Sequence, residues 1–138
     1  MTRDMISAET SVRVRYADTD QMGVAYHSNY LVWFEVGRTE LMRDLGLPYT
    51  EMEARGISLP VIEAWCHYVR AAKYDDCLTI ISAMNEMPRA RVKLSYRVLK
   101  EDSILLAEGY TVHGFLSESG KPVRPPKYFL DKLKESFR

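Results

Sequence analysis

The spacing of apolar and polar residues divides the chain into strand-like and helix-like segments. Apolar residues alternate with arginines over residues 12–16, which predicts a short strand after a frayed lead-in over residues 1–10. Over residues 29–45 apolar residues recur every three or four positions instead, which predicts a long helix whose first half is buried. Gly46 and Pro48 are typical of a helix end, so we expect this helix to stop there.

The rest of the chain predicts four more strands and a short terminal helix. The cleanest alternation, RVKLSYRVL, is followed by the turn residues Glu101-Asp102-Ser103, so the last two strands read as an antiparallel hairpin. Pro60 moves the start of the second strand to a sheet edge or a bulge. An amphipathic helix is expected over residues 126–138. The predicted strands cover residues 57–69, 78–87, 91–99 and 104–116.

This order of elements predicts an α+β fold in one domain spanning residues 1–138. A five-stranded antiparallel sheet needs cover on one face, and the long helix is the obvious cover. The length suits a single domain, and the chain has no internal repeat or linker-like stretch. Only the short terminal helix remains for the other face, so a partner subunit is expected there.

Composition narrows the function classes. Lys+Arg and Asp+Glu number 19 each, which argues against a general nucleic-acid binder. No apolar run is long enough to span a membrane, and no secretory leader pattern is present, so we expect a cytoplasmic protein. The two cysteines, Cys66 and Cys77, are expected in or beside strands as reduced thiols. The histidines and cysteines show no zinc-ligand spacing.

The stretch YADTDQMGVAYHSNY, residues 16–30, holds the candidate chemistry. Asp18 or Asp20, taken alone, reads as an ordinary turn residue. Taken whole, the stretch places two carboxylates and an apolar loop, Met22-Gly23-Val24-Ala25, next to a helix N-terminus. The free backbone N–H groups there carry the positive end of the helix dipole and would stabilise a developing negative charge.

The run RYADTDQMGVAYHSNYLVWFEVGRTELM resembles the signature of hotdog-fold acyl-CoA thioesterases. It is most similar to the group that contains 4-hydroxybenzoyl-CoA thioesterase and the YbgC-like enzymes. AAKYDDCLTI and SGKPVRPP extend the resemblance over residues 12–126. It implies a long helix wrapped by the sheet, hydrolysis of acyl- or aryl-CoA, and homodimers or homotetramers. In such dimers two sheets join edge to edge, with active sites between subunits.

The resemblance also implies roles for individual residues. Asp20 matches the catalytic carboxylate, acting either as a general base or as a nucleophile, and the backbone N–H of His27 matches the oxyanion donor. Val24 and Tyr26 flank the acid and are expected to line the substrate pocket. Glu35, on the helix, is also expected among the substrate-binding residues and is a rival catalytic carboxylate, with a surface salt bridge as its ordinary alternative. No metal or redox cofactor is implied, because coenzyme A is part of the substrate and its thiolate leaves readily.

Cations are expected for the phosphates of coenzyme A. Arg89 and Arg91 at a hairpin, with Lys121 and Arg124 in the C-terminal loop, match positions that contact the nucleotide in the family, although surface cations also serve solubility. Asp18 is expected to hold the loop through backbone hydrogen bonds.

Two alternatives stay open. A non-catalytic acyl-CoA-binding or regulatory hotdog module would have no need of Asp20. A hotdog hydratase is disfavoured, because its histidine follows its aspartate by five residues, whereas Asp20 and His27 are seven apart without an intervening Asn-Pro.

Overall fold

A computed structural model describes residues 6–137 of the chain. It confirms the α+β prediction, because five antiparallel strands form one sheet in the order β1-β3-β4-β5-β2. The elements are β1 (Ile6–Arg13), a single 3-10 turn (Tyr16–Asp18), α1 (Asn29–Asp44), α2 (Tyr49–Ala54), β2 (Val61–Tyr68), β3 (Cys77–Met84), β4 (Val92–Lys100), β5 (Ile104–His113) and α3 (Lys127–Ser136).

The core lies between α1 and the sheet. Phe34 is fully buried and its ring stacks on that of Tyr96 from β4, with ring centroids 4.3 Å apart. Gly37 faces β3 so closely that a Cβ atom there would lie 2.2 Å from the Ser82 Oγ atom. This close approach explains a glycine in mid-helix, where it costs about 1 kcal/mol relative to alanine. Removing the side chain lets the helix settle onto the strand and bury its apolar face.

The sheet has two ends that matter for function. At one end, which we call the Tyr68 end, β2 finishes beside the start of α1, and Arg13 of β1 pairs with Cys77 of β3. At the other, the His113 end, His113 of β5 pairs with both Val92 and Val61. The loop of residues 14–28 follows β1 and therefore lies at the Tyr68 end.

Three predictions about boundaries need correction. Residues 6–10 belong to β1 rather than to a frayed lead-in, whereas residues 1–5 lie outside the described range. The predicted alternation fails at Tyr16, because Asp18 bonds back to Arg15 and folds this segment into the 3-10 turn. The helix α2 was not predicted, since six residues are too short for a helical period to stand out.

The terminal helix α3 is confirmed, and it packs on the α1 side of the sheet. Phe129 and Leu133 are buried, and Phe129 meets Phe115 edge to face with ring centroids 5.2 Å apart. The opposite face of the sheet keeps exposed side chains such as Trp65 and Arg97. Within residues 6–137, no helix is both long and apolar enough to cross a bilayer.

Candidate active site

Asp18 anchors the loop between β1 and α1. Its side chain is buried and accepts hydrogen bonds from the backbone N–H of Arg15 (2.8 Å) and from the Arg15 guanidinium (2.8 and 3.3 Å). Its backbone carbonyl accepts bonds from the Tyr26 N–H and the Asn29 amide, both at 2.8 Å. The hydrogen bonds from Arg15 hold the pKa of Asp18 below its ordinary value although burial raises it. These contacts give Asp18 the predicted structural role.

Asp20 closes a tight turn and keeps one carboxylate oxygen unengaged. Its N–H donates to the Val24 carbonyl (2.9 Å), and its own carbonyl accepts from the Gly23 N–H (3.0 Å). Gly23 has a φ of 80°, a conformation that favours glycine. The Asp20 Oδ1 atom accepts the Met22 N–H at 2.8 Å. Its Oδ2 atom accepts no hydrogen bond from the described residues, so it is available for chemistry.

The start of α1 carries two unengaged backbone donors. The helix begins at Asn29, and Ser28 in front of it makes no side-chain capping bond. Within the described part of the chain, the N–H groups of His27 and Ser28 donate to no acceptor. The His27 carbonyl, by contrast, accepts from the Tyr68 hydroxyl and from the Tyr30 N–H, both at 3.2 Å. These two hydrogen bonds to the carbonyl oxygen therefore fix the His27–Ser28 peptide just before the helix.

One cavity of about 280 Å³ joins these groups. Asp20 and His27 both line it, so a carboxylate and a helix N-terminus face the same space. A carboxylate can accept a proton or attack a carbonyl, and helix N–H donors can hold the oxyanion that results. The remaining lining is mainly apolar and comes from Val24, Ala25, Tyr30, Tyr68, Val69, Arg70 and Ala71.

Two residues that were predicted to contact the substrate, Tyr26 and Glu35, do not line the cavity of Asp20 and His27. Tyr26 packs its ring on that of His27, with centroids 4.4 Å apart, and is 48% exposed outside the cavity lining. Glu35 lies eight residues after His27, about 12 Å further along the helix axis, and lines a second cavity with Arg38. Among residues 6–137, Glu35 forms no ion pair, so the surface salt bridge considered for it is not made.

The four predicted phosphate-binding cations lie at the opposite end of the sheet from Asp20. Arg89 and Arg91 precede β4, whereas Lys121 and Arg124 follow β5, which puts all four at the His113 end. A strand of eight residues spans about 26 Å. One chain therefore does not bring these cations to its own Asp20 cavity.

Sequence reasoning missed Tyr68 and Arg70 as cavity residues. Tyr68 reaches the helix start across 41 positions of the chain, and Arg70 comes from the loop after β2. Only the stretch AAKYDDCLTI, directly after Arg70, pointed to this region.

Comparison with known proteins identifies the family. The chain matches the Thioesterase-like superfamily over residues 14–133. It is similar to YneP of Bacillus subtilis (strain 168), with 34% identity over 90% of this chain and 91% of that protein. It is also similar to the acyl-CoA thioesterase YbgC of Haemophilus influenzae, with 35% identity over 84% of this chain and 86% of that protein. The solved DHNA-CoA thioesterase of Staphylococcus aureus shares 34% identity and a TM-score of 0.85, covering 91% of this chain and 85% of that one. These matches confirm the predicted family and the hotdog fold: the chain belongs to the thioesterase-like superfamily.

Proposed function

We propose that this protein hydrolyses the thioester of an acyl- or aryl-CoA to the free acid and coenzyme A. The observation that carries the proposal is the shared cavity, which is lined both by Asp20, whose Oδ2 atom is unengaged, and by His27, whose N–H is unengaged. Relatives that are named acyl-CoA thioesterases at 35% identity support the same reaction.

In the proposed reaction, Asp20 activates the nucleophile and the helix start holds the oxyanion. As a general base, Asp20 takes a proton from water while the water oxygen bonds to the thioester carbon. The carbonyl oxygen becomes an oxyanion and accepts hydrogen bonds from the His27 and Ser28 N–H groups. The C–S bond then breaks, coenzyme A leaves as its thiolate, and the proton on Asp20 neutralises that thiolate.

A second route uses the same groups with Asp20 as the nucleophile. Its carboxylate oxygen bonds to the thioester carbon, the thiolate leaves, and water hydrolyses the mixed anhydride. A single turnover in ¹⁸O-labelled water tests for this second route. Label in Asp20 would demonstrate a mixed anhydride whose aspartyl carbonyl is attacked by water, because the general-base route leaves Asp20 unlabelled.

We further propose a homodimer formed through β2. This edge strand exposes apolar side chains, among them Val61, Ile62 and Tyr68, and no described strand pairs with its outer side. An exposed apolar edge is a template for pairing with another strand. Twofold pairing of β2 with its copy would join two five-stranded sheets and cover these side chains. Packing of the exposed outer faces, around Trp65, would extend the dimer to a tetramer.

This dimer would also supply the missing cations. A twofold axis reverses β2, so the His113 end of one subunit would lie beside the Tyr68 end of the other. Arg89 and Arg91 would then approach the Asp20 cavity from the partner, with Lys121 and Arg124 behind them. The nucleotide phosphates of coenzyme A would bind to this cationic end.

The test is a hydrolysis screen over acyl- and aryl-CoA substrates with detection of free thiol. We expect Asp20→Asn to lower kcat by about 10²–10⁴-fold while coenzyme A binding survives, because a base of that kind contributes about this much. The matched control is Asp44→Asn, which removes an exposed carboxylate at the far end of α1. Turnover that survives Asp20→Asn would refute the catalytic assignment. A wild-type protein that binds acyl-CoA without hydrolysing it would instead be a binding module.

A further inference from the structure

One arginine, Arg70, lines the cavity that Asp20 and His27 share. Within residues 6–137 it is the only arginine or lysine in that lining, and its guanidinium forms no ion pair there. The proposed reaction uses the carboxylate and the helix N–H groups of the cavity, but it gives this positive charge no role.

The backbone at the end of β2 explains why Arg70 reaches the cavity. The strand ends at Tyr68, and the N–H groups of Val69 and Arg70 both donate to the Leu106 carbonyl, at 2.8 and 3.0 Å. Two successive N–H groups on one acceptor are typical of a β-bulge, an irregularity that redirects side chains and is frequent beside active sites. Side chains alternate between the two faces of a regular strand, whereas here the four consecutive residues 68–71 all line one cavity.

The segment that carries Arg70 is fixed to both parts of the site. Ala72, two residues later, is buried, and its N–H donates to the hydroxyl of Tyr30, in the first turn of α1, at 3.1 Å. The Ala72 carbonyl accepts the N–H of Ala25, from the loop that carries Asp20, at 2.8 Å. The backbone beside Arg70 is therefore held between the helix start and the Asp20 loop.

The cavity is small enough for a charge on its wall to act on all of it. A sphere of about 280 Å³ is about 8 Å across, which is about the distance over which salt screens a charge in physiological solution. Because most of the lining is apolar, screening inside it is weaker than in bulk water. A cation at Arg70 therefore acts on any charge that develops beside Asp20 and His27.

The proposed hydrolysis moves a negative charge through this space. The charge starts on Asp20 and passes to the carbonyl oxygen when Asp20 takes the water proton and the C–O bond forms. It passes to the sulfur when the C–S bond breaks. The bound thioester is neutral, so a cation at the cavity wall interacts more strongly with the transition states than with the substrate, and such interactions accelerate a reaction.

We propose that Arg70 is a further catalytic residue, whose guanidinium faces the reacting thioester and stabilises the negative charge that passes from the carbonyl oxygen to the sulfur. This inference rests on the proposed thioesterase function. The N–H groups of His27 and Ser28 are dipoles directed at the oxygen, whereas the guanidinium carries a full charge that acts on both atoms. A contact of Arg70 with a phosphate of coenzyme A would instead need the nucleotide, so the two roles can be separated by experiment.

The test compares an acyl-CoA with the thioester of the same acid and N-acetylcysteamine, which carries no phosphate. Arg70→Gln should lower kcat/KM by at least about tenfold, and by a similar factor, for both thioesters, because a unit charge about 8 Å away is lost. With acyl-CoA the loss should appear in kcat. Arg70→Lys keeps the charge and should keep most of the activity. Since Arg70 is exposed, both changes leave the core intact.

The matched control is Lys73→Gln, which removes an exposed cation three residues away and outside the cavity lining, and which should leave kcat almost unchanged. A loss confined to acyl-CoA would overturn the inference and assign Arg70 to the coenzyme instead. A loss that Arg70→Lys does not relieve, or one that Lys73→Gln reproduces, would overturn it as well. Failure of the proposed function is distinct, since it would appear as hydrolysis that does not depend on Asp20, whereas this inference alone fails if turnover needs Asp20 but not Arg70.

Discussion

The hydroxyl of Tyr68, in the edge strand β2, donates a hydrogen bond to the backbone carbonyl of His27, just before α1, at 3.2 Å. This contact joins the strand proposed for the dimer contact to the peptide proposed for oxyanion binding. Because the His27 oxygen is occupied, the following N–H, that of Ser28, is fixed in direction as well. The contact thus couples the sheet edge to the geometry of the cavity.

Tyr68→Phe removes this bond but keeps the ring. A hydrogen bond makes a net contribution of about 0.5–1.5 kcal/mol. We therefore expect kcat/KM to fall by up to about tenfold and the free energy of unfolding to change by no more than about 1.5 kcal/mol. Tyr110→Phe is the matched control, because it removes a 2.7 Å bond to Glu63 on the outer face of the sheet. Steady-state kinetics of both variants provide the measurement. Equal kinetic losses in the two would show that the His27 contact has no special role.

The N–H of His27 and its imidazole can be tested separately. His27→Pro deletes the N–H, and loss of one oxyanion donor typically lowers kcat by about 10²–10³-fold. His27→Ala keeps the N–H, so we expect it to retain most of the activity. Kinetics with one acyl-CoA substrate measure both, and circular dichroism verifies that each variant is folded. If alanine is as damaging as proline, the imidazole rather than the amide carries the function.

Gly37→Ala should destabilise the protein although alanine favours helices. The added Cβ would meet Ser82 Oγ at 2.2 Å and Ile80 Cγ2 at 2.8 Å. Overpacking costs about 1–3 kcal/mol, against a gain of about 1 kcal/mol in helix propensity, so we expect a net loss of up to about 2 kcal/mol. Denaturant unfolding measures this difference.

The double variant Gly37→Ala/Ser82→Ala shows whether the contact is the cause. The Ser82 hydroxyl is buried without a hydrogen-bond partner among the described residues, so Ser82→Ala alone should be close to neutral. In the double variant the shortest contact disappears and part of the lost stability should return, because the Ile80 contact remains. Strictly additive effects would mean that the two positions do not interact.

His113 should make stability depend on pH below about 6.5. Burial lowers the pKa of His113, and the charge of Arg38 acts in the same direction. In the unfolded chain His113 binds a proton near pH 6.5, whereas in the folded chain it binds one only at a lower pH. The contribution of His113 to the free energy of unfolding is therefore complete above pH 6.5 and is lost as the pH falls. The slope of the unfolding free energy against pH approaches about 1.4 kcal/mol per pH unit. Denaturant unfolding between pH 7.5 and 5 measures it.

His113→Gln should flatten this part of the profile, since glutamine does not titrate. Asp18 does not interfere, because its lowered pKa confines its effect to the region below about pH 4. An unchanged slope in the His113→Gln protein would show that another group titrates in this range.

Ile62→Lys should prevent the proposed dimer. Ile62 is 50% exposed on β2, and a twofold axis would bring two lysines into one interface. Sedimentation should give twice the 16.0 kDa chain mass for a wild-type dimer, or four times it for the tetramer, and half of the wild-type mass for the variant. Since the cations would come from the partner, KM for acyl-CoA should also rise in the variant. A wild type that sediments as a monomer and is fully active would contradict both expectations.

Local patterns predicted most of the fold. The three-and-four spacing of apolar residues and the Gly46–Pro48 stop located α1 to within a residue, and alternation located the β4–β5 hairpin. The start of β1 was missed because the ISAET stretch is mostly polar, as suits an edge strand that buries few side chains. Tyr16 was misplaced because the Asp18–Arg15 contact, rather than hydrophobic alternation, decides its conformation.

The part of the candidate site that comes from one continuous loop could be predicted from the sequence. Asp20, Val24 and His27 come from one loop, and they share one cavity. Tyr68 was not predictable because it reaches that loop through the pairing of distant strands. The end of the sheet at which Arg89 lies depends on strand order, which residue types do not encode.

The two margins of the sheet differ, and this difference limits growth. The β1 margin exposes Ser7, Glu9 and Arg13, which are polar, whereas the β2 margin exposes apolar side chains. If the β2 edges of two copies pair about a twofold axis, each copy keeps the polar and charged β1 edge exposed. Charged edge strands disfavour pairing with further strands. In the proposed dimer, association through strands would therefore be self-terminating, and the asymmetry that would complete the active site would also protect the protein against filament growth.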